Sequence, residues 1–90
     1  MRIQVGDRVR CSISGPVRVD GIVFAIANSK YSERVYKVGL DRTTTAGAYI
    51  LVGIRSIAFI EETTHDEMLT HPCDRVRKVA LRKSKRVSKT

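Results

Sequence analysis

Ninety residues hold one hydrophobic core and exclude a multidomain enzyme with separate cofactor and substrate lobes. Apolar residues make up 42% of the chain and aromatics 6%, with no Trp, so the core must be built from Val, Ile and Leu. Seventeen Lys and Arg against nine Asp and Glu leave a formal charge of +8, which ranks polyanions first among partners.

Charge and periodicity divide the chain at the same places. Residues 1–60 carry nine cations and four carboxylates, 61–74 carry five carboxylates and no cation, and 75–90 carry eight cations and no carboxylate. Short alternating runs stop at about residue 61. The expected organisation is therefore a strand-rich unit over 1–61, an acidic connector over 62–74 with room for one short helix, and a basic tail over 75–90.

In chain order, residues 8–13 alternate, placing Val9, Cys11 and Ile13 on a buried face and Arg8, Arg10 and Ser12 on a wet one. Ser14, Gly15 and Pro16 supply a turn, and Asp20-Gly21 opens a second strand over 22–27. That strand is apolar on both faces and so central. A polar loop containing Tyr31 leads to a third strand over 35–41, with Tyr36, Val38 and Leu40 on one face and Lys37 and Asp41 on the other. A Thr-rich loop over 42–47 precedes a fourth strand over 48–53. Residues 54–57 read as one tight turn, and 58–61 close as a fifth strand. Asp7, Asp20 and Asp41 read as turn residues. Thr64, with Glu67 three residues on, can cap one or two helical turns. In the tail, Val76, Val79, Ala80, Leu81 and Val87 make no clean helical stripe, so 75–90 is expected to be disordered until a partner orders it.

Five short strands with a one-turn break before the last predict an all-β fold, an SH3-like five-stranded antiparallel barrel, with an OB-like barrel as runner-up. The stretch Val5-Gly6-Asp7-Arg8-Val9-Arg10, followed by Gly21-Ile22-Val23 and Tyr36-Lys37-Val38, resembles the start of many SH3-like small barrels. Translation-type KOW modules and the plasmid-encoded type II dihydrofolate reductases are among them. The resemblance covers residues 5–61 and implies the fold; function does not follow from it. The reductases line a tetramer pore with a Val-Gln-Ile-Tyr stretch, and the corresponding residues here are Tyr49-Ile50-Leu51-Val52, which lack the Gln that holds both ligands. Folate reduction is accordingly the remote alternative.

No Gly-rich phosphate loop, Gly-x-Ser-x-Gly or His-Glu-x-x-His occurs in the sequence, so the chain is read as a non-enzyme without a cofactor. His65, His71 and Cys73 lack a fourth ligand at a recognised spacing, and no metal is expected. Two lone cysteines, Cys11 and Cys73, and a charged start instead of a signal segment point to a cytoplasmic protein. The apolar runs at 22–27 and 48–54 fall far short of the ~20 residues that span a bilayer, so no membrane partner is expected. The expected function is binding of RNA or DNA. Arg8, Arg10, Arg18, Lys37, Arg42 and Arg55 would contact phosphates from the strands and turns, and Tyr31 and Tyr49 would stack bases. Arg75, Arg77, Lys78, Arg82, Lys83, Lys85, Arg86 and Lys89 would add salt-sensitive affinity from the tail. The alternative is an assembly module that pairs with itself or with an acidic protein through an open strand edge.

Overall fold

The computed structural model describes residues 3–28, 30, 33–44 and 47–88, with the side chains of 14, 43, 44 and 83–88 outside the description. Five strands form one antiparallel sheet: β1 (Asp7–Ser14), β2 (Val17–Asn28), β3 (Arg34–Thr44), β4 (Gly47–Gly53) and β5 (Ile57–Glu62). Their order is β4-β3-β2-β1-β5, so β1 to β4 meander and β5 returns to pair with β1. A single 3₁₀ turn, Ile54–Ser56, links β4 to β5, and two helices follow, α1 (His65–Leu69) and α2 (Asp74–Ser88). The predominance of antiparallel strands agrees with the all-β expectation.

One face of the sheet carries the main core. Val9 and Cys11 from β1, Val23 from β2, Tyr36, Val38 and Leu40 from β3 and Val52 from β4 are buried in one cluster, against which Ile57 and Phe59 of β5 pack. Cross-strand pairs such as Val23 with Val38, Val38 with Ile50 and Val9 with Phe59 place these side chains side by side. Fully burying each such Val or Leu is worth ~1.5–3 kcal/mol. Ile13, expected inside, is 43% exposed, because the β1–β2 register slips between Ser12 and Ser14 and the alternation is lost there.

The β2 strand supplies both faces through a second irregularity. Its register against β3 shifts between Val23 and Ala25, leaving Phe24 without a partner in the ladder. Val19 and Val23 reach the main core before this point and Ile26 after it, so the core-facing parity changes from odd to even. Ile22 and Phe24 join a second cluster on the opposite face with Met68, Cys73, Val76 and Ala80 from the helices. A sheet apolar on both sides at its central strand requires a second layer, and the helical hairpin provides it.

That layer corrects the expectation for the C-terminal part. The tail expected to be disordered is helical over Asp74–Ser88, with Val76 and Ala80 fully buried. The relevant stripe begins at Cys73 and runs through Val76 and Ala80, at i, i+3 and i+7, so it is visible only when the connector and tail are read together. Asp74 in the first turn suits the positive end of the helix dipole and binds Lys78 at 3.1 Å and Arg77 at 3.5 Å. In the connector, the Thr64 hydroxyl accepts the Glu67 N–H at 3.2 Å, as its spacing predicts.

Gly39 sets how closely the layers approach. A Cβ built there would lie 2.5 Å from Val76 Cγ2 and 2.8 Å from Cys73 Sγ, so the absence of a side chain on β3 is the notch into which α2 seats. Gly21, expected to open a strand, lies within β2, and its Cβ would lie 2.3 Å from the Gly39 carbonyl oxygen. Close backbone approach explains this glycine, and Asp20 beside it is a strand residue.

Candidate functional site

The face of the sheet opposite the main core carries Arg8, Arg10, Lys37, Asp41 and Tyr49. One row crosses all five strands, running Glu61, Arg8, Ile22, Gly39, Tyr49 by direct pairing. Ile22 and Gly39 in its middle lie under the helices, and the charged and aromatic ends flank them.

The strand-one arginines are both engaged. Arg8 pairs with Asp41 through Nη1 and lies 3.9 Å from Glu61 and 3.8 Å from Glu67, so three carboxylates from β3, β5 and α1 surround one half-buried guanidinium. Arg10 grips Asp20 with two bonds of 2.8 and 3.2 Å, which lower the Asp20 pKa chiefly by hydrogen bonding. Asp20 and Asp41, expected in turns, are the ion-pair partners of these two arginines. Asp7 does match the expectation, its carboxylate accepting the Gln4 N–H at 2.8 Å.

Asp41 also receives His71, whose side chain is buried. The Cys73 N–H donates to His71 Nδ1 at 3.0 Å, which places the ring proton on Nε2, 2.8 Å from Asp41 Oδ1. Arg8, Asp41 and His71 thus form a polar clamp between the sheet and the start of α2. Among the described residues no three His, Cys, Asp or Glu side chains gather at metal-binding geometry.

Most of the remaining cations among the described residues fall into three places. Arg18 and Arg42 line a cleft of about 540 Å³ with Arg10, Asp20 and Asp41, and Arg18 donates to the Gly15 carbonyl at 2.9 Å. Arg55, on the 3₁₀ turn, lies in a separate cleft with Arg34, Glu33 and the edge of Tyr36. The third place is a cleft of about 360 Å³ between β3 and α2, lined by Lys37, Arg75, Lys78 and Arg82 over a floor of Phe24, Ala25 and Val79, with Asp74 as the one carboxylate among the described residues lining it. Asp74 is satisfied by Lys78, whose hydrogen bond is the main cause of its lowered pKa.

Arg75 is held in place by an aromatic ring. Its guanidinium carbon stands 4.6 Å from the Tyr49 ring centroid, and Phe24 meets the same ring edge-to-face at 5.5 Å. Tyr49, expected to stack a base, therefore positions a cation. Arg77 turns away and donates to the His71 and Pro72 carbonyls at 2.6 and 3.0 Å. Tyr31 and Lys89 lie outside the described residues, and so do the side chains of Lys83, Lys85 and Arg86.

The structure thus brings Lys37 together with Arg75, Lys78 and Arg82 and keeps Arg8, Arg10 and Arg55 apart from them. The sequence places Lys37 with Arg8, Arg10 and Arg55 and assigns Arg75, Lys78 and Arg82 to a separate tail, a grouping that the cleft redraws. The missed signal is the 3-4 spacing of Arg75, Lys78 and Arg82, which on a helix marks one face. Compared with known protein families, with characterised proteins and with solved structures, the chain finds no match in any of the three.

Proposed function

We propose that the chain is an SH3-like small barrel that binds nucleic acid by its phosphates, through the cleft between β3 and α2. The strand order β4-β3-β2-β1-β5, with a 3₁₀ turn before the last strand, supports the barrel reading. The observation that carries the binding reading is four cations around one cleft against a single carboxylate among its described lining residues. Among the described residues, Lys37 and Arg82 have no carboxylate within ion-pair distance, so their charge is available to a polyanion. Arg8 and Arg10 are neutralised within the protein and serve the fold.

Each phosphate that the protein ceases to neutralise takes about 0.9 from the slope of log affinity against log salt on a duplex and about 0.7 on a single strand. The double variant Lys37→Gln/Arg82→Gln is therefore expected to flatten that slope by about 1.4–1.8, measured by fluorescence anisotropy from about 50 to 200 mM salt. An unchanged slope counts against the cleft. A charge-neutral variant is the right tool, because deleting α2 would uncover Ile22 and Phe24.

An assembly role is the second reading, favoured by the β4 edge. Among the described residues the β4 strand pairs only with β3, and Leu51, Ile54 and the nearby Ile13 are 59%, 53% and 43% exposed. Sedimentation equilibrium tests it, a concentration-dependent dimer supporting it and a monomer throughout counting against it.

A further inference from the structure

We infer that the ligand of the β3–α2 cleft is a double-stranded nucleic acid held by its backbone alone; this rests on the phosphate-binding reading above. Two independent features of the cleft point to it.

The first is the geometry of the charges. Arg75, Lys78 and Arg82 line the cleft from one rigid helix, and their side chains follow one another at 3-4 spacing. Seven residues of α-helix advance ~10.5 Å. A duplex strand advances one phosphate per ~3.4 Å of helix axis while winding around it, so a straight row of that length reaches about two phosphates of one strand. With Lys78 paired to Asp74, the row carries a net charge of about two against about two phosphates of one strand, and in the sequence Lys85 continues the 3-4 spacing. Lys37 faces this row from β3 and lies across the cleft floor. A stiff row of cations fits a stiff row of phosphates, whereas a flexible single strand would have to be straightened to use it.

The second is the state of the aromatic rings. Single-stranded nucleic acid is held by bases stacked on open aromatic faces. The one aromatic among the described residues lining the cleft is Phe24, which is 8% exposed. Tyr49 beside it already carries the Arg75 guanidinium and meets the Phe24 ring. Tyr36 is 2% exposed in the main core. Among the described residues the cleft therefore offers charge without an unoccupied aromatic face, since Tyr49, 38% exposed, already carries Arg75.

The test compares a mixed-sequence 16-base-pair DNA duplex with the single strand of the same length, binding the full chain at 100 mM salt by fluorescence anisotropy. The duplex is expected to bind at least ten-fold more tightly than the single strand, with under three-fold change when its sequence is altered. The triple variant Arg75→Gln/Lys78→Gln/Arg82→Gln is expected to flatten the duplex salt slope by about 1.8–2.7, the lower figure applying if Lys78 stays on Asp74, with its folded circular dichroism spectrum retained. A single strand bound as tightly as the duplex, or more so, overturns the duplex inference and leaves the phosphate-binding reading standing. Absence of binding to either at 20 mM salt overturns both, and a triple variant with wild-type slope removes the cleft as the site.

Discussion

At the scale of single residues, Gly39 and Cys11 show how much of the chain serves the two packed layers. A methyl group at Gly39 would overlap Val76 and Cys73, which are themselves buried and have nowhere to move. Gly39→Ala is accordingly expected to cost about 1–3 kcal/mol, the range for overpacking, read as a lower urea midpoint with unchanged m-value. Cys11 is fully buried, and its burial, with Asp20 nearby as a smaller cause, pushes its thiol up to about 11. The folded state therefore holds this proton more tightly than the unfolded chain does. The resulting stability is complete below the ordinary thiol value near 9 and is lost as pH rises through about 11. Chemical denaturation from pH 8 to 11 checks this, with Cys11→Ala showing the shallower loss. The residue scale is also where the sequence misleads most. Asp-Gly at 20–21 has the composition of a turn, yet Asp20 answers Arg10 across the β1–β2 ladder and Gly21 makes room for a carbonyl. Both roles depend on a partner 10 or more residues away, which local pattern cannot reveal.

At the scale of elements, the strands were legible because each is marked locally, the first and third by alternation and the second and fourth by short apolar runs bounded by turn residues. The third strand reads directly from Tyr36, Val38 and Leu40, and all three are buried as that pattern requires. The 3₁₀ turn and the Thr64 cap were legible for the same reason, being local chemistry. The α2 helix was not. Its apolar residues are too few beyond Ala80 to form a stripe alone, and its burial comes from Ile22, Phe24 and the notch at Gly39. Tertiary packing supplies what propensity and periodicity leave out, since short isolated helices are marginal in water. It follows that α2 depends on its seat. Val76→Asp is expected to destabilise the protein by about 3 kcal/mol, by placing an unpaired charge in the second cluster. Circular dichroism at 222 nm should fall, while the strand signal near 215 nm persists longer during urea titration.

At the scale of the whole molecule, the sequence-wide excess of cations is partitioned by the fold. Asp20, Asp41, Glu61 and Glu67 gather around Arg8 and Arg10, where they tie β1 to β2, β3, β5 and α1, and Asp74 is the carboxylate among the described residues that lines the β3–α2 cleft. The acidic connector is divided between the two basic blocks it separates in the sequence: Glu67 lies 3.8 Å from Arg8, and Asp74 pairs with Lys78 and Arg77 of α2. Four further cations line the β3–α2 cleft, apart from Arg18 and Arg42 in one cleft and Arg34 and Arg55 in another, with Arg75 fixed on Tyr49 and the helix fixed by the His71–Asp41 contact. The candidate residues could be named from composition, but which of them share a site depended on pairings across the sheet and on the position of α2. The most direct measurement is a two-dimensional ¹H–¹⁵N NMR titration of the labelled chain with a short DNA duplex at 50 mM salt. The largest shifts are expected to cluster at Lys37, Arg75, Lys78 and Arg82, with Arg8 and Arg10 little changed. Shifts centred on Arg10, Arg18 and Arg42, or along the Tyr49–Val52 edge, would contradict the cleft as the site.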